Sequence, residues 1–193
     1  MYVVKYSGPF GFIKPWTAVR DGETFSQQFL TPSIVKGIEL KLFPELLDGV
    51  ATNSGIQKMI RHRLSYNAIS TQLEQIQPKA FTEKKKVVFR SKSILKRGVM
   101  INPVLYLAFK NVNDAHRAAM QHVCLCRNED VLLPSEEIVE VKENEFDLID
   151  GFELIFGESE DSFIVGYNRF NNAEPMYGKI EIHGNPTRIE AEE

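Results

Sequence analysis

The feature that most constrains this chain of 193 residues is a basic segment, residues 55–110, in a sequence whose formal net charge is −3. Between residues 55 and 98, eleven lysines and arginines face only two carboxylates, a local charge of +9, so the rest of the chain carries −12. Such a concentration of cations is typical of a surface that binds a polyanion. Aromatic and β-branched residues lie among the cations and favour a folded ribbon over a disordered tail.

Composition indicates an ordinary folded protein. The chain is 43% hydrophobic and 25% charged, which suits one sizeable domain. Cys124 and Cys126 are separated by one residue and form no disulfide framework, so a reducing compartment fits them. No apolar run approaches the roughly 18 residues that a membrane helix needs. We therefore expect a cytoplasmic protein that does not contact a membrane.

The order of the predicted elements favours an α+β fold. A strand over residues 2–6 is followed by a helix that begins near Thr31-Pro32-Ser33, and a second helix is predicted over residues 112–123. Between them, residues 84–90 and 99–109 read as the strands of a long basic hairpin with its tip at Lys96-Arg97-Gly98. Several strands follow the second helix. This order predicts a ferredoxin-like (RRM-like) domain with a basic β-hairpin thumb and extra C-terminal strands.

The charge reverses after the second helix. Residues 129–161, the acidic segment, contain thirteen carboxylates and one cation, Lys142. Strand-like alternation persists through this segment, so residues 129–183 are interpreted as an acidic, β-rich C-terminal part. We expect it to repel RNA from the wrong face of the protein or to meet a basic partner subunit.

The N-terminal third resembles a known family. The first strand, then Gly8-Pro9-Phe10 and Lys14-Pro15, then the helix that opens at Thr31-Pro32-Ser33 resemble CRISPR-associated protein family five. The basic segment resembles the thumb of that family. The resemblance implies one domain of the RAMP superfamily over residues 1–193, with residues 55–110 as the thumb insertion.

The resemblance also implies a function. Members of this family cap the 5′ handle of the guide RNA (crRNA) in multi-subunit interference complexes. The expected partners are therefore the crRNA handle, the backbone subunits, a large subunit and, indirectly, the target DNA. No cofactor is expected.

Residue types in three places predict contacts with single-stranded RNA, which is held by cations and by stacking on flat side chains. The first place follows the first strand, the second is a cluster at residues 61–66, and the third is the basic ribbon. The predicted RNA-binding residues are Lys14, Arg20, Arg61, His62, Arg63, Tyr66, Lys84, Lys85, Lys86, Arg90, Lys92, Lys96 and Arg97.

Two other functions stay open at this point. Metal-independent cleavage of precursor crRNA needs a base and a cation, and His62 with Tyr66 would be the catalytic candidates. Alternatively, the chain is an α+β scaffold whose basic segment binds acidic protein surfaces. Recognisable nucleotide-binding or hydrolase motifs are absent, so a non-catalytic binding subunit is expected. The Cys-x-Cys pair lacks the spacing of a zinc knuckle, and no metal site is expected.

Overall fold

The computed structural model describes residues 1–17, 22–49, 55–76, 81–90, 92–168 and 171–187. In chain order, the strands are β1 (Tyr2–Ser7), β2 (Phe10–Gly11), β3 (Glu23–Phe25), β4 (Met59–Ser65), β5 (Ala68–Ile76), β6 (Thr82–Lys84), β7 (Val87–Phe89), β8 (Ser93–Ile101), β9 (Val104–Phe109), β10 (Val123–Cys124), β11 (Val131–Glu140), β12 (Gly151–Phe156), β13 (Phe163–Asn168) and β14 (Glu174–His183). The helices are α1 (Pro32–Leu42), α2 (Val112–Ala119) and α3 (Glu143–Phe146), and a 3₁₀ turn spans Pro44–Gly49.

The main sheet contains a ferredoxin-like core. Its strand order is β10-β11-β1-β9-β4-β12-β14-β13, and the pairs within β11-β1-β9-β4 are all antiparallel. In chain order these four strands alternate with α1 and α2 as β-α-β-β-α-β, which is the ferredoxin-like arrangement. The predicted α+β class is therefore confirmed. Strands β12, β14 and β13 extend the sheet beyond β4 and supply the expected C-terminal strands.

Helix α1 forms where the sequence predicts it. Pro32 occupies its first turn, where a missing N–H costs nothing. Val35, Ile38 and Leu42 recur at helical spacing and are buried against the sheet. Pro44 then ends the α-helix within two residues. None of the helices in the described ranges is long and apolar enough to cross a membrane.

Helix α2 packs on the same face of the sheet. Asn111 caps it by accepting a hydrogen bond from the Asn113 N–H at 2.9 Å. Ala115 and Ala118 are fully buried, and the Tyr6 hydroxyl donates to the Ala118 carbonyl at 2.8 Å. Small side chains on this helix let it approach β1 closely.

The opposite face of the sheet is partly covered by the connection between β11 and β12. Neighbouring residues of a strand point to opposite faces, so Val4 lies in the helix-side core while Val3 lies in a second cluster with Ala108 and Phe146. Phe146 belongs to α3 and is fully buried. RRM-like domains bind RNA on this face of the sheet. Here residues 141–150 of the acidic segment, which include α3, cover part of it and are called the plug below.

The basic hairpin is shorter than predicted. Strands β4 and β9, at the two ends of residues 55–110, are central strands of the main sheet and belong to the core. The projecting part, here called the arm, consists of β5 to β8, residues 68–101, because these are the strands of the basic segment that lie outside the main sheet. Lys96-Arg97-Gly98 lies in the middle of β8 and not at a tip. The tip is the turn at Lys85 and Lys86 between β6 and β7.

Candidate nucleic-acid interface

The arm is an antiparallel ribbon that has a core only at its base. Strands β5 and β8 pair from Ala68 opposite Ile101 to Ile76 opposite Ser93. At the base, β8 also pairs with β2 and β3, and its residues from Gly98 to Met100 are buried. Beyond Gly98 towards the tip, no described residue of the arm is buried. The outer arm therefore presents both of its faces.

Cations are concentrated on this outer part. Six of the predicted RNA-binding residues are exposed there and form no ion pair with the described part of the chain: Lys84, Lys85, Lys86, Arg90, Lys92 and Lys96. Lys85 and Lys86 have φ angles of 52° and 64°, the left-handed values of a two-residue hairpin turn. This turn places three consecutive lysines at the end of the arm.

Large apolar side chains lie between these cations. Phe81, Val87 and Val88 are 62%, 62% and 61% exposed, and the Arg90 guanidinium lies 5.8 Å from the centre of the Phe81 ring. Leu73 of β5 and Ile94 of β8 are also exposed. A two-stranded ribbon with so much uncovered apolar surface is marginal in water by itself. The arm therefore has the composition of a surface that is covered in use.

Charged side chains attach the arm to the body. Arg97 of β8 and Arg127 of the α2–β11 connection lie 5.5 Å and 5.4 Å from the centre of the Phe12 ring. Glu74 of β5 accepts hydrogen bonds from both guanidinium groups, and Asp130 holds Arg127 in place at 2.7 Å. This contact between Arg97, Arg127, Glu74 and Asp130 is called the brace below. Arg97 is one of the predicted RNA-binding residues, and here it is half-buried within the brace.

Arg61 and Arg63, two of the predicted RNA-binding residues, are largely buried, with side chains 15% and 0% exposed. Alternation along β4 turns both towards the plug, where their guanidinium carbons lie 4.7 Å and 5.0 Å from the centre of the Phe146 ring. Glu153 of β12 accepts from both, at 2.6 Å and 2.8 Å, and Arg61 also bonds to Asp147. Arg63 and Glu153 have side chains 0% and 2% exposed. The acidic segment thus neutralises these cations inside the protein.

The pKa shifts in this cluster follow from the same contacts. Burial raises the pKa of Glu153, but the hydrogen bonds and charges of Arg61 and Arg63 outweigh burial and lower it overall. The bond to Glu153 raises the pKa of Arg61, whereas desolvation lowers the pKa of the fully buried Arg63. The cluster is therefore a desolvated ion-pair network, with its charges directed at one another.

His62 and Tyr66, the candidates for base stacking and for catalysis, also lie in the core. They point to the helix side of the sheet and are 4% and 5% exposed. His62 stacks on Phe156 with ring centres 5.3 Å apart, and Tyr66 stacks on Phe152 at 6.1 Å. Desolvation lowers the pKa of His62 to about 4 and raises that of Tyr66. Both rings are therefore covered by other side chains of the protein.

The remaining predicted residues follow the first strand. Lys14 is exposed and lines a cleft beside α1, together with Trp16. Arg20 lies outside the described residues. The cysteines are free, and no group of three His, Cys, Asp or Glu side chains within the described ranges is arranged to hold a metal ion.

Sequence reasoning missed the plug and the brace. One signal for the plug was available: in Arg61-His62-Arg63-Leu64 a period of two puts the arginines on one face and the other two on the opposite face. The brace has no such signal, since Arg127, Glu74 and Phe12 are far apart in the chain.

Comparison with known proteins shows the fold. No family model and no curated protein matches this sequence. A chain in a solved CRISPR RNA-guided surveillance complex superposes with a TM-score of 0.56 and 12% identity, covering 96% of this chain and 90% of that one. A crystal structure of a Cas protein superposes at 0.46 with 13% identity, covering 97% and 96%. The fold comparison depends on the first, which superposes better.

Proposed function

We propose that this protein is a non-catalytic, RNA-binding subunit of a multi-subunit CRISPR interference complex, and that its arm holds the 5′ handle of the crRNA. The observation that carries the proposal is the outer arm, with six exposed cations that make no ion pair with described residues. It projects from a ferredoxin-like body whose fold is shared with a chain of a CRISPR RNA-guided surveillance complex. The resemblance of the N-terminal residues to family five supports the same assignment.

The chemistry of the arm suits single-stranded RNA. Cations follow a phosphate backbone, and flat or apolar side chains contact the unstacked bases. At the tip, Lys84 to Lys86 supply charge, while Phe81 and Phe89 offer exposed rings beside them.

The exposed apolar side chains on β5 and β8 support contact of the arm with protein subunits as well. Leu73 and Ile94 are 63% and 62% exposed, and a lone ribbon gains stability when such side chains are covered. We propose that a backbone subunit and a large subunit cover this surface in the assembled complex. Target DNA would then be reached only through the complex.

The burial of His62 and Tyr66 favours binding over catalysis. A general base must reach the proton that it removes, directly or through one water. Both candidates are more than nine-tenths buried under Phe156 and Phe152. The proposal therefore assigns no catalytic residue.

Incubating the purified protein with labelled repeat RNA tests this function. We expect a mobility shift without a change in RNA length. A single metal-independent cut would instead support an endoribonuclease. Neither a shift nor a cut would overturn RNA binding and leave the scaffold hypothesis, which a pull-down with acidic protein surfaces would then test.

A further inference from the structure

A cleft of about 970 Å³ lies between α1 and the C-terminal strands β13 and β14, away from the arm. Its volume is at the upper end of the range usual for small-molecule sites, which is about 300–1,000 Å³. Ser33 and Met176 meet across one side of it, with Oγ and Sδ 3.9 Å apart. The cleft therefore has structured walls on both sides, contributed by the core helix and by the added strands.

Two exposed aromatic rings line this cleft. Trp16 and Tyr167 are 45% and 50% exposed, and their ring centres lie 5.9 Å apart with planes at 78°. Buried aromatic rings contribute to a core, but these two leave about half of their surface uncovered beside an open cavity. Tyr177 also lines the cleft. Because the two planes are nearly perpendicular, a flat heteroaromatic ligand can stack on the face of either ring but not on both at once.

A glycine within α1 keeps the cleft open. Gly37 lies in the middle of the helix, where glycine costs about 1 kcal/mol relative to alanine. A Cβ atom built at this position meets nothing within 4 Å, and Gly37 lines the cleft. Packing within the protein therefore does not require glycine here. A side chain at this position would enter the cleft, whereas glycine leaves the helix backbone accessible from it.

The walls of the cleft are close to electrically neutral. Lys36 lies in the wall, but its Nζ is 2.9 Å from the Glu39 carboxylate, so this charge is already paired. Lys14 and Glu158, both exposed, contribute opposite charges at the lining. A neutral ring with an aromatic face fits this lining better than a phosphate group does.

We propose that this cleft binds one unpaired nucleobase, stacked on one ring of the Trp16–Tyr167 pair and approaching α1 at Gly37. The base comes from single-stranded RNA or from a free nucleotide. The RNA source depends on the function proposed above, whereas binding of a free nucleoside does not. Because the lining is neutral, adenosine should bind about as well as adenosine monophosphate.

Trp16 is the only tryptophan of the chain, so intrinsic fluorescence reports on this cleft alone. Titration with adenosine, adenosine monophosphate and a short single-stranded RNA should quench or shift the emission of Trp16 saturably. Quenching by the nucleosides shows that a free base suffices, and quenching by RNA alone assigns the base to the RNA. If none of the three probes changes the emission, the proposal is wrong.

A cleft-filling variant separates binding from folding. Gly37→Leu puts a good helix former into empty space, so the thermal midpoint should be unchanged or higher while binding weakens by roughly tenfold or more. Gly22→Leu is the matched control, because its Cβ also meets nothing within 4 Å and it does not line the cleft. Unaltered binding by folded Gly37→Leu would overturn the proposal.

A second variant covers the case in which Gly37→Leu does not fold. Tyr167→Ala removes an exposed ring, keeps the Trp16 reporter, and should weaken binding by roughly tenfold. Unchanged affinity in this variant would also contradict the proposal. If the protein binds RNA without any change in Trp16 emission, the proposed nucleobase site in the cleft is wrong and the proposed function stands. If it binds the nucleoside but not RNA, the proposed function is wrong and the nucleobase site stands.

Discussion

Glu74 of the arm accepts a hydrogen bond from Arg127 of the α2–β11 connection, 53 residues later in the chain. Arg127 also donates to Gln72 at 3.0 Å and to Asp130, while Arg97 approaches Glu74 from within the arm at 3.3 Å. The contact therefore joins one strand of the projecting ribbon to the core domain. Together with the pairing of β8 with β2 and β3, it holds the base of the arm against the core domain.

The first prediction concerns this brace. Glu74→Gln should loosen the arm, because it leaves the charges of Arg97 and Arg127 without their shared carboxylate. We expect the free energy of local opening of β5 and β8 to fall by about 1–2 kcal/mol, with little change in the thermal midpoint. Amide hydrogen exchange along the arm measures this. Glu83→Gln at the exposed tip is the control, and equal exchange in both variants would contradict the brace.

The second prediction concerns the lysines at the tip. Reversing Lys84, Lys85 and Lys86 to glutamate should weaken RNA binding and reduce the steepness of its salt dependence. Each phosphate contact on single strands contributes about 0.7 to the slope of log K against log salt, so the slope should fall by up to about 2. Fluorescence anisotropy with labelled repeat RNA at several salt concentrations gives this slope.

A matched control reverses three exposed lysines outside the arm: Lys5, Lys41 and Lys110. This variant has the same change in net charge, so it isolates the position of the charge from its amount. We expect the slope of log K against log salt to fall much less in this variant than in the variant of the tip lysines. If both triple variants lose the same amount, general attraction explains the binding and the arm is not the site.

The third prediction concerns the ion-pair network behind the plug. Glu153→Gln leaves Arg63 buried without its counter-ion, and removal of one partner from a buried pair typically costs about 3–5 kcal/mol. Urea denaturation should show this loss, with the midpoint lowered. The control is Asp161→Asn, which breaks an exposed contact to Lys179 and should leave the unfolding curve in place. A urea midpoint for Glu153→Gln equal to that of the unmodified protein would show that the network does not stabilise the fold.

The fourth prediction is a pH dependence from His62. Desolvation lowers its pKa from 6.5 to about 4, so between these values the unfolded chain binds a proton that the folded protein does not. Stability therefore rises with pH through this window and is lost as pH falls from about 6.5 towards 4, by up to about 3 kcal/mol. His62→Phe, which keeps a ring against Phe156, should flatten this part of the stability profile measured by urea denaturation. A profile identical to that of the unmodified protein would assign the dependence to other groups.

Elements with strong local signals were predicted well. The proline at the start of α1 and the apolar spacing behind it act within a few residues, so the helix is where the sequence indicates. The ferredoxin-like class followed from the order of such elements. The strand at residues 68–76 is not among the predicted elements, because none of its side chains is buried and its sequence is mostly polar.

The candidate site was only partly predictable. Position in the chain grouped Arg61, Arg63 and Lys84 into one basic segment, but the fold divides them between the core and the tip. The basic segment contains two central strands, β4 and β9, as well as the arm, and charge counting does not distinguish them. The carboxylate that removes Arg63 from the surface lies 90 residues later.

The sequence alone determined the class of the fold, the places of the two main helices and the separation of basic and acidic charge along the chain, since these depend on composition and short-range periodicity. Only the tertiary structure decided which cations face solvent, how the arm is braced, and that Trp16, Gly37 and Tyr167 enclose one cleft. Those properties depend on contacts between residues distant in the chain, and no local pattern encodes which distant partner a side chain will meet.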